Sequence, residues 1–230
     1  MHGTDGLDVT VTRKWNEAVG IAGFELAAAG GGPLPAFGAG AYVDVLTPAG
    51  RLRPYSLCNP PTERHRYVIA VQREPAGRGG SIEMHDRVRQ GDRLKIGLPR
   101  NEFALHPGVV YSVLLGGGIG VTPLLGMADT LWRQGAGFEM HYGARNAARA
   151  AFDETLRHCA YAARVRRHWS EEHGRIDFER VLKRVPHLGH LYLCGPAAFI
   201  ASAVGAATRC GWPITRIHLE CFTTARSFVP

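Results

Sequence analysis

Several familiar signatures are missing from these 230 residues. The five cysteines (Cys58, Cys159, Cys194, Cys210, Cys221) are scattered, odd in number and never in C-x-x-C. That argues against a disulfide framework and for a reducing compartment, with the cytoplasm as the default. The plant-type C-x4-C-x2-C run is also absent, so no iron–sulfur cluster is expected in this chain. No H-E-x-x-H occurs, and His187 and His190 stand near each other without a third ligand in view, so no metal site is expected. No apolar run approaches the roughly 18 residues of a membrane span. The opening MHGTDGLDV lacks the charged-then-apolar pattern of a signal peptide.

Negative charge is also in deficit. Lys and Arg number 27 against 20 Asp and Glu, for a formal charge of +7 and a pI near 9.5. A basic balance raises nucleic acid as a partner, yet the basic residues are spread along the chain. The densest cluster (Arg164, Arg166, Arg167, His168) lacks the interleaved aromatics of a single-strand platform. Such a surface serves equally well for anionic cofactor phosphates or an acidic protein partner.

What is present divides the chain in two. Up to about residue 105, strand-like segments (LDVTVTRKW, IAGFELA, AYVDVLT, YVIAVQRE, RLKIGLP) are separated by Gly and Pro, which predicts an antiparallel barrel or sandwich. A short helix is predicted from Ser81, with that serine as N-cap and Met84 and Val88 on the apolar face. Past Pro107 the rhythm changes. VVYSVLL reads as a buried strand and TPLLGMADTLWRQ as a helix capped by Thr122 with Pro123 at its first position. FEMHYGAR (strand), NAARAAFDETLRH (helix), RIDFERVLKRV (helix), HLYLCG (strand), PAAFIASAVGAATRCG (helix) and ITRIHLECF (strand) follow. That alternation predicts a doubly wound parallel sheet. The expected domains are 1–106, 107–222 and a tail or linker remnant at 223–230.

The second domain opens with the stretch LLGGGIGVTPLLG. A G-x-G-x-x-G fingerprint starting at Gly116 would need glycine where Val121 stands, and a P-loop would need Gly-Lys-Ser/Thr. Ligands in open α/β sheets sit outside the carboxyl ends of the strands, which here read GGGIGVTP, YGAR, CGP and ECF.

RPYSL (53–57), GRGGS (77–81), GGGIGVTP (116–123), YGAR (142–145), CGP (194–196) and ECF (220–222) occur in one order. That order resembles the ferredoxin–NADP⁺ reductase superfamily, in its phthalate dioxygenase reductase and vanillate demethylase reductase branch. SLCNPP, RYVIAVQRE, GRGGSI and GLPRNEFAL are especially similar to that branch. The resemblance spans about residues 7–222 and implies a flavin-binding β-barrel followed by an NAD(P)H-binding α/β domain. It implies a flavoprotein oxidoreductase that takes hydride from NADH and passes single electrons to a [2Fe–2S] ferredoxin or Rieske-type oxygenase, with no membrane or nucleic-acid partner. The oxygenase would act on an aromatic or similar small compound, by analogy. The family members continue into a C-terminal [2Fe–2S] domain, whereas this sequence stops at TTARSFVP; a shortened reductase or a separate ferredoxin is expected.

The resemblance also implies roles. Arg53, Pro54, Tyr55, Ser56, Leu57 and Ala70 would hold the flavin: Arg53 on its phosphate, Tyr55 along the ring, Ser56 near the atom that receives hydride. Gly79, Gly80 and Ser81 would nest the phosphate, which implies FMN and leaves FAD open. Gly117, Gly118, Gly120, Thr122 and Pro123 would admit the nucleotide pyrophosphate at a helix start. Arg145 lies where the adenosine ribose is read; with arginines and no carboxylate there, NADPH stays open beside NADH. Cys194, Gly195 and Pro196 would flank the nicotinamide, Phe222 would stack on the flavin, and Glu220 would polarise a ring edge; Ser56, Cys194, Glu220 and Phe222 are the catalytic candidates. The alternatives are a stand-alone diaphorase or flavin reductase, and a basic binding protein that retains the fold without flavin.

Overall fold

In the computed structural model, which describes residues 6–185 and 188–222, the chain forms two sheets. His187 and the tail expected at 223–230 lie outside the described residues.

The first sheet contains β1 (Leu7–Ala18), β2 (Ile21–Ala28), β3 (Tyr42–Leu46), β4 (Leu52–Ser56), β5 (Tyr67–Gln72) and β6 (Arg93–Ile96), in the order β4-β3-β6-β1-β2-β5. All its pairings are antiparallel. The two ends meet where the Cys58 N–H, just past β4, donates to the Val68 carbonyl of β5 at 2.8 Å, curling the sheet into a barrel. RPYSL supplies most of β4, and a single helix, α1 (Gly80–Asp86), is inserted between β5 and β6. Strand period sorts the side chains of β5. Tyr67, Ile69 and Val71 fill the barrel with Phe24, Leu26 and Met84, while Val68 and Ala70 point into a second cluster shared with the other sheet.

The second sheet contains β7 (Tyr111–Gly117), β8 (Gly137–Ala144), β9 (Val165–Trp169), β10 (His190–Cys194) and β11 (Ile217–Glu220), all parallel, in the order β11-β10-β7-β8-β9. Parallel strands covered on both faces are apolar throughout: Leu114 of β7 joins the shared cluster, Val113 and Leu115 the opposite one. Helix α2 (Thr122–Arg133) lies in the shared cluster between sheet and barrel, with Leu124 and Met127 fully buried, each contributing about 2 kcal/mol by area. Four further helices, α3 (Asp153–His158), α4 (Ser170–His173), α5 (Phe178–Leu182) and α6 (Ala197–Arg209), complete the domain, with α5 and α6 over the opposite face. The strand order reverses between β7 and β10, which makes their carboxyl ends the switch point where such sheets take ligands.

Several sequence expectations need correction. The N-cap of α1 is Gly79, at φ +83°, and Ser81 lies inside the helix, its hydroxyl accepting the Glu74 N–H at 3.0 Å. Thr122 does not cap α2: a 3-10 turn over Gly118–Val121 precedes it, and its hydroxyl donates to the Ile119 carbonyl at 2.9 Å. The helical start therefore moves back to Gly118, and with it the unpaired N–H groups. The helix expected over 146–158 is a 3-10 turn (Ala147–Arg149) and α3, broken at Phe152, whose φ is +60°. The basic cluster at 164–168 mostly forms β9, an edge strand, where polar side chains remain solvated on the open side.

Candidate functional site

On the barrel side, strand period sends Arg53 and Tyr55 to one face of β4 and Ser56 inward. Arg53 crosses the start of α1. Its guanidinium donates to the Leu52 carbonyl at 2.7 Å and the Arg78 carbonyl at 3.4 Å, and a Cβ at Gly80 would stand 2.7 Å from its Nε. A side chain at Gly80 would have to displace the arginine from that space. Tyr55 is half-buried, and burial pushes its hydroxyl up to about 12. Leu57 and Ala70 are buried and Pro54 is exposed. The buried Ser56 hydroxyl has no hydrogen-bond partner among the described residues. An unpaired buried hydroxyl costs about 1–3 kcal/mol. Together with the arginine across the glycine turn, it fits a polar ring edge and a phosphate, as a flavin would present.

On the sheet side the site is made by absent side chains. A Cβ on Gly120 would lie 2.3 Å from the Cys194 carbonyl oxygen, so the glycine turn after β7 rests directly on the CGP turn after β10. Gly117 and Gly195 face each other beneath the Phe199 ring of α6, which a Cβ on either would crowd. Cys194 is fully buried; desolvation, then the neighbouring Glu220 charge, pushes its thiol well above the ordinary range. Its Sγ is 4.0 Å from Glu220 Oε2. Burial, followed by the nearby Glu102 carboxylate, raises Glu220 to about 7, so this group exchanges its proton within the neutral range. Phe222 is 42% exposed and Pro196 is exposed.

The fold brings these two halves together. Ala70 of β5, Cys58 two residues past Ser56, Val121 and Leu124 at the head of α2, and Cys194 of β10 belong to one buried cluster. The arrangement can hold a flat ring on the barrel and a second ring at the sheet's switch point, with Glu220 at the seam. Arg145, by contrast, is exposed at the far end of β8.

Sequence reasoning missed five residues at the candidate site. Arg51 shares the face of Arg53, lies 3.9 Å from a Cβ built on Gly79, and pairs with Glu83. The R-x-R spacing was the available signal. Glu83 accepts from the Thr47 hydroxyl at 2.6 Å and the Ala49 N–H at 3.1 Å, contacts that hold its carboxyl below the usual range, the Thr47 bond foremost. Glu102 and Phe199 reach the site from distant stretches. Contrary to the sequence reading, a carboxylate does stand beside Arg145: Glu171 of α4 accepts from the Asn146 amide at 2.7 Å, and its N–H donates to the Arg145 carbonyl at 3.0 Å. His190 meets His218 at 2.8 Å, and among the described residues no group of three or more His, Cys, Asp or Glu is placed to hold a metal. No described helix is long and apolar enough to cross a membrane.

No protein-family model matches the chain. Vanillate O-demethylase oxidoreductase of Pseudomonas putida is 44% identical over 220 residues, covering 95% of this chain and 69% of that protein. Phthalate dioxygenase reductase of Burkholderia cepacia is 38% identical over 233 residues, covering 97% and 71%. A solved phthalate dioxygenase reductase, described as a modular structure for electron transfer from pyridine nucleotides to [2Fe–2S], superposes with a TM-score of 0.91 at 37% identity, over 97% of this chain and 70% of that one.

Proposed function

Because this chain belongs to the family of vanillate O-demethylase oxidoreductase and phthalate dioxygenase reductase, we propose that it is the NAD(P)H-dependent flavoprotein reductase of an oxygenase system in aromatic-compound breakdown. It takes hydride from a reduced pyridine nucleotide and delivers single electrons to a [2Fe–2S] ferredoxin or oxygenase partner. The buried Ser56 hydroxyl, which has no hydrogen-bond partner among the described residues and follows Arg53 and Tyr55 along β4, with the Arg53 guanidinium crossing the Gly79–Gly80 turn, is the observation that carries this reading.

A bound flavin supplies the chemistry, accepting two electrons as hydride and releasing them singly. The chain's own residues bind, orient and exclude water. We assign residues 1–106 to flavin binding and 107–222 to nucleotide binding. Arg53, supported by Arg51 and the Gly79–Gly80 turn, holds the phosphate; a compact seat with two arginines suits the terminal phosphate of FMN. Ser56 hydrogen-bonds the ring edge and Tyr55 and Phe222 cover its faces. Gly117, Gly118 and Gly120 bring the N–H groups ahead of α2 to the nucleotide pyrophosphate. Cys194 keeps the reacting edge dry, while Glu220 takes up or releases a proton at its carboxyl oxygen near neutral pH. Glu171 beside Asn146 supports NADH over NADPH, since a carboxylate pairs with ribose hydroxyls and repels a 2′-phosphate. A pyridine-nucleotide electron source fits a cytoplasmic protein.

The test is an anaerobic visible spectrum of the purified protein before and after one equivalent of NADH. A flavin spectrum that bleaches within seconds is expected. Protein that holds no flavin, even on reconstitution with FMN or FAD, would sink the reading; bleaching by NADPH alone would reverse the nucleotide assignment.

A further inference from the structure

If the flavin rides on one sheet and the nucleotide on the other, the distance between the reacting rings is the distance between two sheets. Packing around α2 joins them. Within the same shared cluster, the β1–β2 hairpin reaches across to the segment after β8. The Val19 N–H donates to the Ala148 carbonyl at 2.8 Å, and Glu17 Oε1 accepts the Phe152 N–H at 2.7 Å. The second carboxylate oxygen, Oε2, accepts the Trp15 indole N–H at 2.6 Å. Trp15 in turn lies flat against Gly23 of β2, where a Cβ would be 2.2 Å from its ring. The carboxylate is therefore pinned to the barrel by an indole and reaches into the other sheet for a backbone amide.

What it reaches is unusual. Phe152 is buried, and it is the only non-glycine residue at positive φ among those described. A bulky residue there costs about 1–3 kcal/mol and persists when surrounding contacts hold it. Glu17 is also close to Cys58, on the flavin strand's continuation, and to Tyr142, the first residue of YGAR. Burial chiefly, and the Glu17 charge in part, raise that thiol; burial, then the Asp153 charge and then that of Glu17, raise that phenol. Glu17 therefore ties β1 of the barrel to the connection that follows the strand ending at Arg145 and Asn146.

We propose that Glu17 is a positioning residue for hydride transfer, which holds the 148–152 connection of the nucleotide sheet against the barrel and so fixes the approach of the two cofactors. This rests on the reductase reading above. A misplacement of about 1 Å costs on the order of a hundredfold in such a step.

Three forms decide it: wild type, Glu17→Ala and Glu17→Gln, compared by hydrogen exchange without added nucleotide and by stopped-flow reduction with NADH. Glu17→Ala should keep its flavin and its β1–β2 amide protection, yet exchange the Phe152 amide at least tenfold faster. Its limiting rate of flavin reduction should fall about ten- to hundredfold, with half-saturating NADH within about twofold of wild type. Glu17→Gln retains one acceptor oxygen and should fall between the two. An unchanged Phe152 amide, or an unchanged limiting rate in Glu17→Ala, overturns the inference and leaves the reductase reading standing. Wild-type protein not reduced by either nucleotide overturns both.

Discussion

The two halves of the site are built by opposite means. The barrel presents side chains: a guanidinium across a helix start, a half-buried phenol and a hydroxyl with no partner. The parallel sheet removes them, and its glycines are needed first by the protein itself, because Gly120 rests on the Cys194 carbonyl and Gly117 on Phe199. A ligand then meets bare backbone as a by-product of tight packing between strand ends. Substitutions in the barrel half should therefore cost binding with little change in stability, and substitutions in the sheet half should cost stability first.

The harshest way to break that contrast is Gly120→Ala. Its Cβ has 2.3 Å to the Cys194 carbonyl oxygen, and backbone cannot swing aside as a side chain would. A loss of about 3 kcal/mol is expected in urea unfolding, with nucleotide-driven reduction lost as well. Unchanged stability would mean that the glycine is there for the ligand alone. Arg53→Ala comes next and should behave in the opposite way. Removing a charge-assisted phosphate contact costs about 1.5–3 kcal/mol, or roughly ten- to hundredfold in flavin affinity by fluorescence titration, at unchanged unfolding midpoint. If Arg53→Ala instead unfolds the barrel, its role is structural.

The same contrast explains what could be read from the sequence. Side-chain motifs announce themselves: RPYSL supplies most of β4 and GRGGS runs into α1, and the alternation past Pro107 yields the parallel sheet. Failures came where tertiary contacts override local preference. The alanine-rich run 146–158 reads as one helix, and Asn146 does cap its first turn, but Glu17 captures the Phe152 N–H and Phe152 turns to positive φ, which breaks it. VRRHW carries too much charge for a buried strand and is legible only once its edge position is known. Glu102, Glu171 and Phe199 come from other parts of the chain, so no local pattern marks them.

Ser56→Ala sharpens the barrel side at smaller scale. The flavin-free protein should be unchanged or more stable by about 1 kcal/mol, since an unpaired buried hydroxyl is removed. The flavin-loaded protein should be reduced more slowly. A destabilised apoprotein would show that the hydroxyl already has a partner there.

The smallest effect is expected at the seam, where Glu220 of the sheet faces Glu102 near the barrel. Burial and then the Glu102 charge raise Glu220 to about 7 in the folded chain, above the ordinary carboxyl range. A raised folded pKa means that the native state holds the proton more tightly than the unfolded one. The contribution is full at acid pH below the unfolded value and is lost as pH rises through about 7. If that proton matters to the reaction, the limiting rate of flavin reduction should show a step near pH 7 that Glu220→Gln abolishes. Glu102→Gln should move the step toward acid, because only the weaker of the two causes has been taken away. A step that stays in Glu220→Gln belongs to another group, and a step unmoved by Glu102→Gln would leave burial alone as its cause.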